Sequence, residues 1–262
     1  MKWIDTHTHL YLENFDTDRD IIIQEAQNLG FSALLLPNID VDSIGKIKSL
    51  VEAHPHICYP MVGLHPCDVN FDYEKQLRLL KDFLDKGNNY FNNKIVAVGE
   101  IGLDYYWDKT FISEQKKAFR IQIEWALEAQ LPIVVHTRDA MDDAIAIVRD
   151  YAKDGLQGVF HCYSGDIQQA IQIIDMGLYL GIGGVLTYKK SMLPAVVSEL
   201  PLSVMVLETD APFLPPVPYR GKRNEPKYMI EVAKRLSEIK NVSLEAVAAI
   251  TTSNAALVFH LP

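Results

Sequence analysis

The chain has 262 residues, 48% hydrophobic and 23% charged, so it can bury a sizeable core and shows no compositionally disordered stretch. Its net charge of -9 argues against a broad basic surface for sequence-independent duplex binding, although metal ions in a carboxylate-rich pocket can attract a phosphate locally. The three cysteines form no evident disulfide framework, and neither a signal-peptide core nor a membrane-length apolar run is present. We therefore expect a cytoplasmic protein that does not associate with membranes.

Short apolar runs rich in Val, Ile and Leu alternate with longer amphipathic segments, which is the pattern of repeated βα units around a parallel sheet. The eight predicted strands are residues 3–9, 32–37, 57–64, 95–101, 132–136, 158–161, 178–183 and 204–207. The helical patterns lie near residues 18–29, 41–53, 73–86, 113–129, 139–152, 166–176, 189–199 and 226–239.

Eight βα repeats in about 250 residues are typical of a (β/α)8 TIM barrel. A doubly wound open sheet is the alternative, but it usually has fewer strands and a glycine-rich first turn, where this chain has His7-Thr8-His9. We therefore predict an α/β protein, a (β/α)8 barrel forming a single domain over residues 1–262. Residues 243–256 are expected to form a C-terminal helical extension at the base of the barrel.

Polar residues fall where most of the predicted strands end. Barrel active sites lie at the carboxyl ends of the strands, so side chains placed there are candidates for chemistry. The candidates at these ends are His7, His9, His65, Glu100, His136, His161, Glu208 and Asp210.

Each of these residues also has a structural explanation when it is considered alone. A single histidine in an apolar context is more often hydrogen-bonded structure than a ligand, Glu100 could pair with an arginine, and Asp210 could cap a helix. However, only His54, His56 and His260 of the eight histidines lie outside the strand ends. Together the strand-end residues indicate a metal site.

The donor set favours two metal ions. Six of the candidates offer nitrogen or oxygen ligands, which exceeds the three or four that one catalytic zinc usually takes. They are His7, His9, Glu100, His136, His161 and Asp210. Glu100 is the central candidate for a bridging carboxylate. Without thiolate ligands, the site favours Zn, Mn, Co or Mg. Cys162 follows His161, and strand alternation predicts that it points to the opposite face and packs there.

The chain resembles the TatD family of metal-dependent deoxyribonucleases, within the wider amidohydrolase-like barrels. HxH alone is common in hydrolases, whereas seven motifs in this order are specific, and they extend over essentially the whole chain. They are Asp5-Thr6-His7-Thr8-His9-Leu10, Gly63-Leu64-His65-Pro66, Gly99-Glu100-Ile101-Gly102-Leu103-Asp104-Tyr105, Pro132-Ile133-Val134-Val135-His136-Thr137-Arg138, His161-Cys162-Tyr163-Ser164-Gly165, Leu207-Glu208-Thr209-Asp210-Ala211-Pro212 and Tyr219-Arg220-Gly221-Lys222-Arg223-Asn224-Glu225-Pro226.

This resemblance implies a two-metal hydrolase of DNA phosphodiesters, often a 3′–5′ exonuclease, acting on single-stranded ends without an obligate protein partner. Divalent metals activate water for such reactions by lowering its pKa. Asp210 is expected to act as general base, and Glu208 to orient ligands or waters from behind them. The metal ligands implied by the resemblance are His7, His9, Glu100, His136, His161 and Asp210, with Glu100 and Asp210 also catalytic.

Substrate contacts are less specified by the sequence. His65, Arg138 and Arg220 are candidates for binding phosphate oxygens, although Arg138 could instead pair with Asp139 or Asp142. The aromatic rings of Phe213 and Tyr219, in a loop with four prolines, could stack a terminal base or belong to an ordinary long loop.

Two other functions remain open at this point. A small-molecule hydrolase cutting an amide, lactone or phosphate ester could use the same metal cage, because barrels host many chemistries. A non-enzymatic scaffold would require a degraded ligand set, and here all six ligands are present.

Overall fold

A computed structural model describes the backbone of residues 1–262 and every side chain except that of Asn88. Eight parallel strands pair in chain order to form a barrel, which confirms the predicted TIM-barrel class. The strands are β1 (Trp3–Asp5), β2 (Phe31–Leu36), β3 (Cys58–Val62), β4 (Ala97–Asp104), β5 (Ile133–Arg138), β6 (Gly158–Phe160), β7 (Tyr179–Ile182) and β8 (Met205–Leu207).

Helices follow the strands and cover the outside of the barrel. They are α1 (Arg19–Asn28), α2 (Ser43–Ala53), α3 (Tyr73–Lys86), α4 (Asn88–Phe91), α5 (Ile112–Ala129), α6 (Met141–Tyr151), α7 (Ile167–Asp175), α8 (Leu193–Glu199), α9 (Met229–Lys240) and α10 (Leu244–Val258). The four-residue α4 was not predicted, because so short a helix has no periodicity to detect. None of the described helices is long and apolar enough to cross a bilayer.

The apolar side chains form two clusters on the two faces of the sheet. Inside the barrel, small and branched residues such as Ile4, Ala33 and Val206 pack in one cluster with Val258 and Phe259 from the end of α10. A larger cluster fills the space between the strands and the outer helices. The C-terminal helix therefore closes the amino end of the barrel, and the carboxyl end is left for the functional residues.

The segments that follow β1 and β8 close the barrel, and we call this contact the seam. The amide of Thr6 donates to the carbonyl of Leu207 over 3.1 Å, and the amide of Asp210 donates to the carbonyl of His7 over 2.8 Å. An isolated parallel bridge joins Thr8 to Ala211. The short stretches of backbone that close the barrel therefore also carry candidate metal ligands.

Several strands are shorter than predicted. β1 ends at Asp5 rather than residue 9, β3 at Val62 and β6 at Phe160. Because His7, His9, His65 and His161 follow their strands, simple strand alternation does not govern where these side chains point. Backbone contacts across the barrel mouth orient them instead, as the seam shows for His7 and His9.

β4 contains an irregularity at the centre of the candidate site. In the ladder with β5, Gly99 pairs with Val134 and Ile101 pairs with the next residue, Val135, so Glu100 is an extra residue. Such a bulge bends the strand and re-aims a side chain. The amide of Glu100 donates instead to the carbonyl of Asn38 over 2.8 Å. Glu100 can therefore point into the barrel mouth from the middle of an apolar strand.

Candidate metal centre

The two carboxylate oxygens of Glu100 face two different groups of imidazoles. Oε2 lies 3.2 Å from Nε2 of His7 and 3.7 Å from Nε2 of His9. Oε1 lies 2.9 Å from Nδ1 of His136 and 3.1 Å from Nε2 of His161. A carboxylate in this position has the donor arrangement of a bridge between two cations.

Asp210 completes the group on the Oε2 side. Its Oδ1 lies 3.3 Å from Nε2 of His9 and 3.8 Å from Nε2 of His7, and those two ring nitrogens are themselves 3.2 Å apart. Asp210 adopts a left-handed backbone conformation with φ of 59°, a conformation that short polar residues adopt more readily than bulky ones. His7, His9 and Asp210 thus place three ligand atoms within 4.8 Å of one another.

Both carboxylates are ionised by their surroundings despite burial. Burial opposes the charge on Glu100, but His7, His65 and His161 and a hydrogen bond with His136 hold the pKa of Glu100 well below its usual range. Burial likewise opposes the charge on Asp210. A hydrogen bond from His9 and the nearby charge of His161 nevertheless lower the pKa of Asp210. Both side chains are therefore carboxylates at neutral pH, as metal binding requires.

Three further residues contact the ring nitrogens of His136, His161 and His9 that point away from the Glu100 carboxylate. Nε2 of His136 donates to Oδ2 of Asp104 over 2.9 Å. Nδ1 of His161 donates to Oε1 of Glu208 over 3.1 Å, a contact that would orient the imidazole. The hydroxyl of Tyr11 lies 2.9 Å from Nδ1 of His9. Metal-binding histidines characteristically have such partners, which fix the tautomer that leaves the other nitrogen free to coordinate.

The residues at the barrel mouth fit divalent cations. Among the described side chains, every ion pair of Glu100, Glu208 and Asp210 is with a histidine, and none is with lysine or arginine. Buried carboxylates are costly unless a positive charge neutralises them or they bind a metal. The donors are imidazole and carboxylate, which suit zinc, manganese or cobalt, and carboxylate also suits magnesium.

Asp5 is a structural element of the site that sequence reasoning missed. It is fully buried, and its Oδ1 accepts the amides of His7 and Thr209 over 3.2 and 3.0 Å. Its Oδ2 lies 2.6 Å from the hydroxyl of Thr209. Burial raises the pKa of Asp5 to about 8, against the lowering effect of these hydrogen bonds. Asp5 therefore ties the His7 segment to the Asp210 segment.

Of the three predicted substrate-contact residues, two line the cavity and one does not. His65 lies within the cluster, with Nε2 3.5 Å from Oε1 of Glu100. The guanidinium of Arg138 lies at the cavity edge, 3.6 Å above the ring of Tyr106. Arg220 is exposed, 3.8 Å above the ring of Tyr188, and is not among the described residues that line the cavity.

One expectation about a neighbouring side chain is wrong, and the two aromatic rings of the proline-containing loop differ in position. Cys162 lines the cavity rather than packing on the opposite face, because β6 ends at Phe160 and Cys162 has a left-handed φ of 47°. One face of the Tyr219 ring stacks on Tyr228 with centroids 3.8 Å apart, and Tyr219 is not among the described residues that line the cavity. Phe213 does line the cavity.

The outer partner of His136 offers a test of metal affinity. We expect Asp104→Asn to weaken cation binding about 10- to 100-fold, because a neutral amide holds the imidazole less strongly in the coordinating tautomer. Calorimetric titration with Mn²⁺ measures this. Asp108→Asn, in the loop after β4 and contacting the amide of Thr110, is the matched control and should bind normally. Equal affinity of both variants would refute the role of Asp104.

An eight-stranded barrel with histidines and carboxylates gathered at the carboxyl ends of its strands defines the class of metal-dependent hydrolases. A family model described as TatD-related DNase matches residues 4–260, and the chain belongs to that family.

Relatives and solved structures agree with this assignment. The chain is 38% identical over 258 residues to the uncharacterized metal-dependent hydrolase YabD of Bacillus subtilis, covering 98% of each chain. It is 32% identical over 266 residues to the Escherichia coli protein YcfH, which carries the same description, covering 100% of this chain and 97% of that one. The crystal structure of YjjV, a TatD homologue from Escherichia coli, matches with a TM-score of 0.91 at 28% identity, over 99% of this chain and 98% of that one.

Proposed function

We propose that the protein hydrolyses DNA phosphodiesters with two divalent cations and removes nucleotides from the 3′ end. The observation that carries this proposal is the position of the Glu100 carboxylate. Its two oxygens face two separate groups of donor atoms. A paired site clamps the entering and leaving oxygens of a phosphoryl displacement, whereas one cation is sufficient for many other hydrolyses. The family description, TatD-related DNase, points to the same reaction.

The chemistry that cations would supply here is polarisation of the phosphodiester and a lowered pKa of water. They would be held by the six predicted ligands, His7, His9, Glu100, His136, His161 and Asp210. Asp210 is the member placed to take a proton, because its side chain is 14% exposed and lines the cavity as a carboxylate. Glu208 and Asp104 keep two imidazoles in the orientation that this requires.

Arg138 is the side chain best placed to bind phosphate. Its guanidinium has no carboxylate partner among the described residues, so the alternative pairing with Asp139 or Asp142 is not formed. Stacking on Tyr106 holds the guanidinium plane at the cavity edge while its N–H groups stay free to donate. His65 lines the same cavity, and we assign it a supporting contact. Arg220 would act further along a bound strand.

The cavity has a volume of about 580 Å³, within the range of sites for nucleotide-sized ligands. It also has room for a small amide, lactone or phosphate ester. We therefore test the proposal with a digestion panel of single-stranded DNA, duplex DNA, RNA and generic esters, each with Mg²⁺, Mn²⁺, Zn²⁺ or Co²⁺. We expect single-stranded DNA labelled at its 5′ end to shorten from the 3′ end. Faster turnover of a small ester than of any DNA would contradict the proposal.

The same panel tests Arg138. We expect Arg138→Leu to lower kcat/KM on DNA roughly 10- to 100-fold, because a charged hydrogen bond to phosphate is lost. Hydrolysis of an uncharged ester should change little, which separates phosphate binding from a general defect. Arg149→Leu, on the outer helix α6, removes the same charge at a distance and serves as control. An equal loss on charged and uncharged substrates would argue against a phosphate contact.

A further inference from the structure

The mouth of the barrel carries exposed aromatic side chains. Trp107 is 69% exposed and Phe213 is 51% exposed, and both line the cavity that contains Glu100 and Asp210. Large aromatic rings are normally buried, so two of them exposed at one cavity indicate a surface that binds something flat and apolar.

The two rings lie on opposite sides of the mouth. Trp107 belongs to the loop after β4, and Phe213 belongs to the loop after β8. In a closed barrel with strands in chain order, β4 and β8 are four strands apart in either direction. The candidate metal ligands contributed by β1, β5 and β6 lie between them. A molecule reacting at the centre can therefore contact one ring on each side.

The backbone of Trp107 is tied to the candidate metal site. Its amide and that of Tyr106 donate to Oδ1 of Asp104 over 3.2 and 2.9 Å, while the other oxygen of Asp104 holds His136. The rings of Tyr106 and Trp107 meet edge to face at 4.9 Å, and the guanidinium of Arg138 lies 5.1 Å from the Trp107 ring. A ring held in this way loses little side-chain freedom when a ligand stacks on it.

Phe213 is fixed by the other half of the site. Its amide donates to the carbonyl of Asp210 over 2.7 Å, and its carbonyl accepts from the side-chain amide of Asn224 over 2.7 Å. Its ring lies edge to face with His9 at 5.8 Å. The backbone of each aromatic residue is thus hydrogen-bonded to a residue of the candidate metal site, Asp104 for Trp107 and Asp210 for Phe213.

We propose that Trp107 and Phe213 stack the bases of the two nucleotides that flank the scissile phosphate, so that the substrate is a strand unpaired on both sides of the cut. This inference rests on the proposed function and names its substrate more narrowly. Bases present a flat, uncharged face that stacks on aromatic rings regardless of sequence. Arg138, beside Trp107, supplies the charge for the phosphate between them. In a duplex the same faces are covered by neighbouring base pairs, so duplex ends must fray first.

Tryptophan fluorescence gives a direct test of binding. Of the three tryptophans, Trp3 and Trp125 are buried at 1% and 9% exposure, so Trp107 alone is open to a ligand. We expect tetrathymidylate to quench the emission in the Asp210→Asn variant with Mg²⁺, where the strand is consumed too slowly to disturb the titration. An abasic strand of equal length should quench weakly, and a further Trp107→Phe substitution should remove the effect. Equal quenching by both strands would overturn the proposal.

Kinetics on matched substrates give a second test. We expect Trp107→Leu and Phe213→Leu each to raise KM for single-stranded DNA about tenfold or more, and Trp107→Phe to restore it. A substrate that is abasic at the corresponding nucleotide should already have the raised KM and respond little to the leucine substitution. Phe71→Leu removes a ring that is 87% exposed outside the cavity lining and should change nothing.

The outcomes separate this inference from the function on which it rests. Suppose that the wild-type protein cuts no oligonucleotide with any metal, but base-dependent quenching persists. The nuclease proposal is then wrong, whereas stacking of bases on the aromatic rings is supported. If DNA is cut and the leucine variants match the wild type, or lose activity equally on normal and abasic strands, the stacking proposal fails and the nuclease stands.

Discussion

Replacing Glu100 with glutamine is expected to lower kcat/KM on DNA by about a thousand-fold or more. Among the described side chains, Glu100 is the only one whose oxygens face both donor groups, so a neutral amide removes the charge that would hold two cations together. Loss of metal-ion charge stabilisation costs several kcal/mol, and each 1.36 kcal/mol is a factor of ten in rate. Steady-state kinetics and calorimetric metal titration measure both effects.

The expected binding result is a change in stoichiometry as well as in affinity. Wild-type protein should bind two cations, and Glu100→Gln should bind fewer or bind both weakly. Glu124→Gln makes the same substitution on the exposed side of α5 and should behave as wild type. Two cations bound normally by the Glu100 variant would show that the bridge lies elsewhere.

Asp210→Asn is expected to separate proton transfer from metal binding. Asparagine keeps the shape and one oxygen of the side chain but cannot take a proton, so we expect kcat to fall about 10²- to 10⁴-fold. Affinity for the cation near His7 and His9 should fall much less, because the imidazoles remain. Single-turnover cleavage combined with metal titration distinguishes the two contributions.

Asp154→Asn, between α6 and β6 at the far end of the barrel, is the matched control. If Asp210→Asn loses its metal and its activity in parallel, Asp210 is primarily a ligand. If kcat is unchanged with metal bound, another group accepts the proton, and His65 would be the next residue to test because it lies in the same cavity.

The barrel could be predicted from the sequence because its signal is repeated. Alternation of apolar runs and amphipathic segments occurs eight times, and errors at single boundaries, such as the predicted extension of β1 to residue 9, do not alter the strand count. The ends of strands were less predictable, because hydrogen bonds between distant segments determine where a ladder stops. Thr8, for example, pairs with Ala211, more than two hundred residues away.

The gathering of these histidines and carboxylates could be predicted because strand ends converge at one face of a barrel. Of the residues that contact the histidine rings from behind, Glu208 was a candidate in the sequence, but the others were not. Asp104 lies in a motif that gives it no role, Tyr11 lies in none, and only the fold shows that they contact His136 and His9. Likewise Trp107 carries no motif, whereas Tyr219 belongs to one but is covered by Tyr228. Side-chain partners depend on tertiary contacts that a single sequence does not contain.

The seam has a consequence for how the protein is made. The backbone that carries His7 emerges first during synthesis, and the backbone that carries Asp210 emerges about two hundred residues later, yet the two must hydrogen-bond to each other. Such distant pairing is slow, because a long loop must close before any contact offsets its entropy. No nascent or proteolytically shortened fragment lacking either end can therefore assemble the complete donor set. Hydrolytic competence would therefore appear only when the segment after β8 docks against the segment after β1.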